Sequence, residues 1–361
     1  MKISFQQIRN QPFRVHAHHL EIGNTSFPSE DKLDLDSALG VVSVQSILQA
    51  AEQFRPLTHD NCPLPVAVLV FTATGMYRAL DFFFPITQML TESEIDDFYQ
   101  LTQGIAGHPH FDLQLIGKHR VDLTAQMPPG IRQVLAGQIA EVFFQRRELL
   151  ERVLAAPRRF QIYVDAAAFE QDGGVAGGDY NPQRESIQLV LKRVFEGFFG
   201  ETAGVCPFLH ELGHMLDHFE AATGRMGHTE GLLPGLSPRD GALFNPRARK
   251  LFIAGKRLEL ERYLARLQRT AKVNHSLPVG HPYVFQNDGE FIAGYFEMFF
   301  RNPNYFAIQN EELYAAFVEL FGYDPRNAWK QDFPFYVNQN RDCYLSGERP
   351  RTPHLTIPND Q

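Results

Sequence analysis

Residues 208–219 read "FLHELGHMLDHF", and this stretch decides how the rest of the chain is interpreted. Two histidines, His210 and His214, stand four residues apart, and Glu211 follows the first of them directly. On a helix that turns 100° per residue, the two imidazoles lie about 40° apart on one face, one turn from each other. The stretch therefore predicts a helix whose two histidines can point at one metal ion.

The other polar residues of this stretch have distinct expected roles. A catalytic zinc ion takes three protein ligands and leaves its fourth position to water. Glu211 lies about 100° around the helix from His210, so we expect it beside that water, where it can accept a proton during attack on a carbonyl group. Asp217 is expected to accept an imidazole N–H, or to be a solvated carboxylate. We expect His218 to be an ordinary, partly exposed histidine.

A third ligand must come from elsewhere, and Glu290 is the stronger candidate. It opens the apolar stretch "EFIAGYFEMFF" (290–300), and a carboxylate at the start of a buried helix needs a partner. Capping its own helix would be the alternative to binding a metal ion. Glu297 lies two turns further along, about 10 Å away, so one ion cannot readily bind both glutamates. Glu297 is then an acceptor for a ligand imidazole or a surface residue.

Composition and charge restrict the class of protein. The chain has 361 residues, is 44% hydrophobic and 21% charged, and carries a formal net charge of −8, so we expect a folded protein without a nucleic-acid partner. The most apolar stretch, 63–75, is too short to span a bilayer, and no signal-peptide pattern opens the chain. Three scattered cysteines suit a reducing compartment, and a cytoplasmic location is expected. They are Cys62, Cys206 and Cys343.

Periodicity and turn signals predict an α+β protein. A buried strand is predicted at 65–71, another at 159–169, and a hairpin at 173–191 whose second strand, 186–191, is a candidate edge for an extended peptide. Helices are predicted at 35–54, 91–105, 127–157, 202–222, 248–272, 290–301 and 310–321. A capping-box pattern, Thr91 with Glu94, opens the second of them, and the helix of 290–301 is entered at Asn287 or Asp288. Thr223-Gly224 ends the helix of 202–222, and a loop (223–246) follows. A soft boundary near Pro157 divides the chain into an α+β but mainly helical N-terminal region of unknown role (1–157), a catalytic domain (158–340) and a tail (341–361).

Other chemical motifs are weak. The histidine clusters "HAHH" (16–19) and "HPH" (108–110) contain metal-ligand side chains, although short clusters of this kind in loops usually bind nothing specific. Neither a G-x-S-x-G motif nor a phosphate-binding P-loop is present in the sequence. The segment 210–214, together with the candidate third ligand Glu290, therefore remains the main indication of function.

Two segments together resemble a known group of enzymes. "HELGHMLD" (210–217) followed by "YVFQNDGEFIAGYFEMFF" (283–300) resembles the glutamate-zincin metallopeptidases of the anthrax lethal factor type, which share a Tyr-x6-Glu-Phe-x-Ala pattern. Four residues fill that pattern: Tyr283, Glu290, Phe291 and Ala293. With the ending at 302–325, the chain more closely resembles the glucose-regulated zinc metallopeptidase family typified by the Mlc titration factor. The resemblance covers roughly 160–325.

The resemblance implies a zincin-like catalytic domain in which Zn²⁺ is held by His210, His214 and Glu290. It also implies that Glu211 is the general base of a zinc-dependent peptidase, and that Tyr283 donates a hydrogen bond to the developing oxyanion. The expected partner is a peptide or protein substrate, cleaved by an activity of the aminopeptidase kind. Residues 1–150 match nothing in this family, and 223–280 is longer than expected, so the substrate stays open.

A second hypothesis belongs to a different class. The family's type member is named for titrating a transcriptional regulator, so the alternative is a regulatory binding protein that sequesters a transcription factor. In that case the metal site would be secondary or vestigial. The intact Glu211 favours the enzyme, because a purely structural zinc site does not need a general base.

Overall fold

The structure is a computed structural model. It describes residues 1–9, 11, 13–35, 40–55, 66–74, 84–175, 177–196, 204–220, 225–226, 246–267, 276–327, 332–346 and 351–357. The fold is mixed α+β, as predicted. Predictions for Cys62, for the helix end at Thr223-Gly224 and for most of the 223–246 loop lie outside these residues.

Two compact units make up the chain, and each combines separate stretches of sequence. Unit 1 contains Met1–Glu141, Arg159–Asp179 and Gln188–Ala203, and unit 2 contains Val142–Arg158, Tyr180–Ile187 and Gly204–Gln361. The ranges predicted from sequence are continuous, whereas these units are not. All of the predicted site residues belong to unit 2.

Fourteen α-helices are described in these ranges. They are α1 (Phe5–Arg9), α2 (Val44–Phe54), α3 (Val66–Thr74), α4 (Glu92–Ala106), α5 (Pro129–Phe143), α6 (Arg147–Val153), α7 (Ala166–Gln171), α8 (Leu191–Val194), α9 (Pro207–His218), α10 (Pro246–Leu267), α11 (Asp288–Arg301), α12 (Pro303–Gln309), α13 (Glu311–Phe321) and α14 (Pro334–Leu345).

The described strands form four small sheets. The strands are β1 (Lys2–Ile3), β2 (Phe13–Val15), β3 (His19–Ile22), β4 (Thr25–Pro28), β5 (Lys32–Leu35), β6 (Gly40–Ser43), β7 (Phe111–Ile116), β8 (Arg158–Tyr163), β9 (Gly178–Asn181), β10 (Ser186–Val190), β11 (Phe219–Glu220) and β12 (Arg225–Met226). Their orders are β1-β5-β6, β2-β3-β4, β7-β8-β10-β9 and β11-β12.

Several helix boundaries follow the sequence signals. Helix α4 begins with the predicted capping box, because the Thr91 side chain and Glu94 satisfy each other's backbone amides. Helix α11 begins after Asn287, whose side chain accepts a hydrogen bond from the amide of Glu290, as expected for an N-cap. Helix α13 ends at Gly322, which has the left-handed conformation (φ 74°) that glycine adopts most readily. The predicted starts of α4 and α11 are confirmed.

Two predicted elements are wrong because periodicity alone misleads. The stretch 65–71, predicted as a strand, lies largely in helix α3, because a short, uniformly apolar sequence gives the same pattern in a strand and in a helix. The helix predicted over 127–157 is two helices, α5 and α6, which are separated at 144–146. Arg146 there has φ −136° and ψ 60°, outside the helical range.

Three further predictions are corrected. The first half of the helix predicted at 35–54 contains strand β6, where β-branched Val41 and Val42 favour extended backbone, and Ser43 then caps α2. The motif helix begins at Pro207 rather than near 202, since proline suits the first helical position. Strand β10 lies between β8 and β9, so it is an interior strand and not an edge; all five of its residues are buried.

Unit 2 has an aromatic core around α11. The inner face of this helix packs against α9, α12 and α13. Two of its phenylalanine contacts, Phe296 with Phe321 and Phe299 with Phe300, are edge to face, an arrangement that adds to the gain from burial. The fully or almost fully buried rings include Phe291, Tyr295, Phe296, Phe299, Phe300, Phe306, Phe317 and Phe321. This core fixes the position of α11 against the motif helix.

Helices α9 and α11 approach each other closely at Gly213. A Cβ atom added there would lie 2.9 Å from the backbone Cα of Ala293 and 3.4 Å from its Cβ. Contacts this short require the backbones to move apart. The glycine within the HELGH sequence therefore allows the histidine helix to reach the helix that carries Glu290.

We expect Gly213→Ala to destabilise the protein by about 1–3 kcal/mol, because the added methyl group overpacks a backbone contact. Gly104→Ala on α4 is the matched control, since a Cβ there meets nothing within 4 Å. That control should be neutral or stabilising by about 0.4–1 kcal/mol, as alanine has less backbone entropy to lose. Urea unfolding of both variants measures the difference, and equal stabilities would contradict the close-packing explanation.

None of the helices described is long and apolar enough to cross a membrane.

Candidate metal centre

Three predicted ligands converge on one point between α9 and α11. The Nε2 atoms of His210 and His214 lie 3.2 Å and 3.3 Å from the same carboxylate oxygen, Oε2 of Glu290. One donor atom from each of the three residues lies within 4.8 Å of the others. Two imidazole nitrogens and one carboxylate oxygen are a donor set that zinc binds in catalytic sites, so the residues present fit this metal.

The site is partly open to solvent. The side chains of His210, His214 and Glu290 retain 18%, 14% and 16% exposure respectively. Structural zinc sites are closed by four protein ligands, whereas catalytic sites keep a position that water or substrate can reach. Three partly accessible donors therefore correspond to the open kind of site.

Electrostatics at this point favour a positive charge among the three side chains. Burial acts to raise the pKa of Glu290, but its contacts with His210 and His214 outweigh burial and lower that pKa. Burial likewise acts to lower the pKa of His210, yet hydrogen bonds to Glu290 and Glu297 prevail and raise this pKa to about 10. An environment that stabilises an imidazolium next to a carboxylate also suits a bound cation.

Glu297 supports His210 from behind. Its Oε2 lies 3.5 Å from Nδ1 of His210, the ring nitrogen that faces away from Glu290. Its Oε1 accepts a hydrogen bond of 2.5 Å from the backbone amide of Cys206, immediately before α9 begins. The carboxylate thus contacts both the imidazole and the start of the motif helix, and it is 4% exposed. From this position Glu297 can accept a hydrogen bond from Nδ1–H of His210. That hydrogen bond favours the tautomer in which Nε2 is unprotonated and can bind a metal ion.

Tyr283 lies at the rim of the site with 45% exposure. Its hydroxyl group donates a hydrogen bond of 3.0 Å to Oε1 of Glu290, the oxygen that does not face Nε2 of the histidines. Its backbone amide donates to Nδ1 of His281, which caps the short 3-10 helix Pro282–Phe285. The hydroxyl group is therefore next to the predicted ligands and accessible to a substrate.

A buried carboxylate that sequence reasoning missed holds the loop before Tyr283. Glu259 on α10 is fully buried and accepts hydrogen bonds from the amide of Val279, at 2.7 Å, and from the hydroxyl group of Tyr295. The Tyr295 oxygen in turn accepts from the amide of Gly280, at 3.0 Å. The sequence does not distinguish Glu259 from its neighbours, because it lies in a helix rich in charged residues, which are usually exposed to solvent.

Lys256 is a second residue that the sequence did not single out. Its ammonium group is fully buried, donates a hydrogen bond of 2.7 Å to Asp288 at the start of α11, and lies over the rings of Phe252 and Phe291. Burial lowers the pKa of Lys256, while the charges of Asp288 and Asp217 oppose that shift. The pair anchors the first turn of α11, two residues before Glu290.

The remaining predicted residues lie on α9. Glu211 is buried, with 8% exposure, and Asp217 is fully buried. The charge of Asp217 acts on Lys256, and its predicted contact with an imidazole stays a prediction. His218 is partly exposed, and its ring lies 5.7 Å from that of Tyr180. In the "HPH" cluster, Nδ1 of His108 accepts a hydrogen bond from the amide of His110, so this nitrogen takes part in a turn.

The chain matches no protein-family model. It has no significant match among curated proteins. The resemblance to zinc metallopeptidases therefore rests on the residues quoted from the sequence.

Proposed function

We propose that this protein is a zinc-dependent metallopeptidase with a zincin-like catalytic domain and aminopeptidase-like activity on peptides. The observation that carries the proposal is the convergence of Nε2 of His210, Nε2 of His214 and one oxygen of Glu290. The three residues come from distant parts of the sequence, and they are the ligands that the H-E-x-x-H motif and the downstream glutamate predict. The cytoplasmic location remains part of this proposal.

Zinc would be held by His210, His214 and Glu290. When bound, it would lower the pKa of a water molecule and polarise the carbonyl group of the scissile peptide bond. Glu297 would keep the imidazole of His210 oriented through its Nδ1 atom, 3.5 Å away.

Two residues of the chain would act on the substrate directly. Glu211 lies between the two histidines in sequence and about 100° around the helix from His210, so its carboxylate would accept the proton of the attacking water and later donate it to the leaving amine. Tyr283 would donate a hydrogen bond to the oxygen that gains negative charge. Its hydroxyl group would have to exchange its bond to Oε1 of Glu290 for one to the substrate.

The proposal is tested with protein purified without added metal or chelator. We expect elemental analysis to find one tightly held zinc ion per chain. Digestion of a peptide library, read by mass spectrometry, should then give products that disappear on chelation and return with zinc. Products shortened from their amino ends would identify an aminopeptidase.

Two results would contradict the proposal in different ways. Absence of zinc, together with no uptake of added zinc, would show that the protein has no zinc site and would contradict the proposal as a whole. Zinc at full occupancy with an uncleaved library would instead favour the binding alternative, which pull-down of a transcriptional regulator would then examine.

We expect Tyr283→Phe to lower kcat by about 10²–10³-fold with little change in KM, because a hydrogen bond made mainly in the transition state has this kinetic effect. Steady-state kinetics on a cleaved library peptide measures both constants. The same variant also loses the hydrogen bond to Glu290.

Zinc affinity distinguishes the two possible effects of this change. A variant with normal zinc affinity and reduced kcat supports oxyanion stabilisation. If kcat falls only as far as zinc occupancy does, Tyr283 is a positioning residue for Glu290. Tyr314→Phe on α13 is the control for the same chemical change, since its hydroxyl group donates to Asp324 and not to a predicted ligand.

A further inference from the structure

A second group of metal-ligand side chains lies on the hairpin of β2 and β3 in unit 1. The register pairs Val15 with Leu20 and Arg14 with Glu21. The amide of His16 donates a hydrogen bond of 3.0 Å to the carbonyl oxygen of His19, which closes the turn formed by "HAHH" (16–19). Residues opposite each other in an antiparallel pair share a face, so the side chains of His16 and His19 are neighbours.

Strand alternation adds Glu21 to this face. Residues two apart in a strand point to the same side, so Glu21 lies beside His19, while Leu20 and Ile22 are buried on the other side. Nε2 of His16 is 3.4 Å from Oε2 of Glu21, and Nε2 of His19 is 3.4 Å from Oε1. The two imidazole rings stack with centroids 4.1 Å apart and an angle of 9° between their planes.

We propose that His16, His19 and Glu21 form a second metal site, which binds a divalent transition-metal ion such as Zn²⁺. One donor atom from each residue lies within 4.8 Å of the others. Imidazole nitrogen and carboxylate oxygen suit Zn²⁺, Ni²⁺ and Cu²⁺, and three protein donors leave the remaining positions to water. The sequence showed the histidines, but only the hairpin register brings Glu21 to them.

The surroundings of the site allow binding. To bind one ion, the three donor atoms must come within about 2.0–2.2 Å of it, so the side chains have to rotate. The exposures of His16, His19 and Glu21, which are 40%, 37% and 35%, leave room for this rotation. The hydrogen bond from His16 lowers the pKa of Glu21, so its carboxylate is ionised at neutral pH. Binding is weaker than at the His210 site, because no carboxylate comparable to Glu297 is described behind these imidazoles.

The test uses the full chain after removal of metal by chelation. Titration with Zn²⁺ by calorimetry should show two equivalents, one tight and one weaker. The weaker one should be lost in His16→Ala/His19→Ala and in Glu21→Gln, while the tight one stays. His18→Ala is the matched control, since this exposed histidine belongs to the same turn but not to the donor group.

The hairpin site shares no residue with the proposed peptidase site. Glu290→Ala should therefore leave the weaker equivalent intact. A single equivalent in the wild-type protein that persists in both hairpin variants would overturn the inference, because that ion would not be bound by His16, His19 and Glu21. So would two unchanged equivalents in both hairpin variants. Circular dichroism verifies folding, and if the double variant is unfolded, the near-isosteric Glu21→Gln decides the result.

Discussion

Glu211→Gln is expected to remove peptide hydrolysis, lowering kcat by at least about 10²-fold, while the protein keeps its zinc. General bases contribute roughly 10²–10⁴-fold to rate, and an amide cannot accept the proton of the attacking water. The side chain lies about 100° around α9 from His210, so it is not placed among the ligands. Hydrolysis of a library peptide and elemental analysis of the same preparation measure the two effects together.

The matched control is Glu312→Gln, the same chemical change at an exposed position of α13. It should keep both activity and zinc. Loss of zinc in Glu211→Gln would mean that Glu211 is a ligand or a structural support, and the proposed mechanism would be wrong. Full activity with Gln at this position would exclude Glu211 as the base.

The second large effect concerns the third ligand. Glu290→Ala should weaken zinc binding more than any other single change outside the two histidines, because it leaves two protein donors. Glu297→Ala should weaken it by at most about 10–100-fold, as is typical when a residue supporting a ligand is removed. Competition of each variant with a chromogenic chelator compares the affinities directly.

Glu297 also accepts the amide hydrogen bond of Cys206, so its removal affects stability as well. A buried amide without an acceptor costs about 1–3 kcal/mol. Glu297→Gln keeps an oxygen for this amide and removes only the charge near His210, so it separates the two effects. If Glu297→Ala damaged zinc binding more than Glu290→Ala, the ligand assignment would be wrong although a metallopeptidase could remain.

The candidate site could be predicted because its signals are local. The 3.6-residue period places His210 and His214 on one face, and Asn287 marks the start of α11 within a few residues of Glu290. These features need only neighbouring residues, and the structure brings together the three ligands that they predict.

Other features depend on pairings across long stretches of chain, which a single sequence does not reveal. Lys256 is 32 residues from Asp288, and Glu297 is 91 residues from Cys206. The uniformly apolar sequence of α3 also hides its helical period. Sequence patterns indicate which residues are buried, but here they did not indicate which distant residue binds each buried polar group.

The separation of the ligands along the chain has a consequence during synthesis. His210 and Glu290 are 80 residues apart. At about 5–20 residues per second, a ribosome needs roughly 4–16 s to add the glutamate after the histidine. A nascent chain that has produced α9 therefore has two imidazoles but no third donor. A working peptidase would thus remain inactive until most of its own backbone had been made.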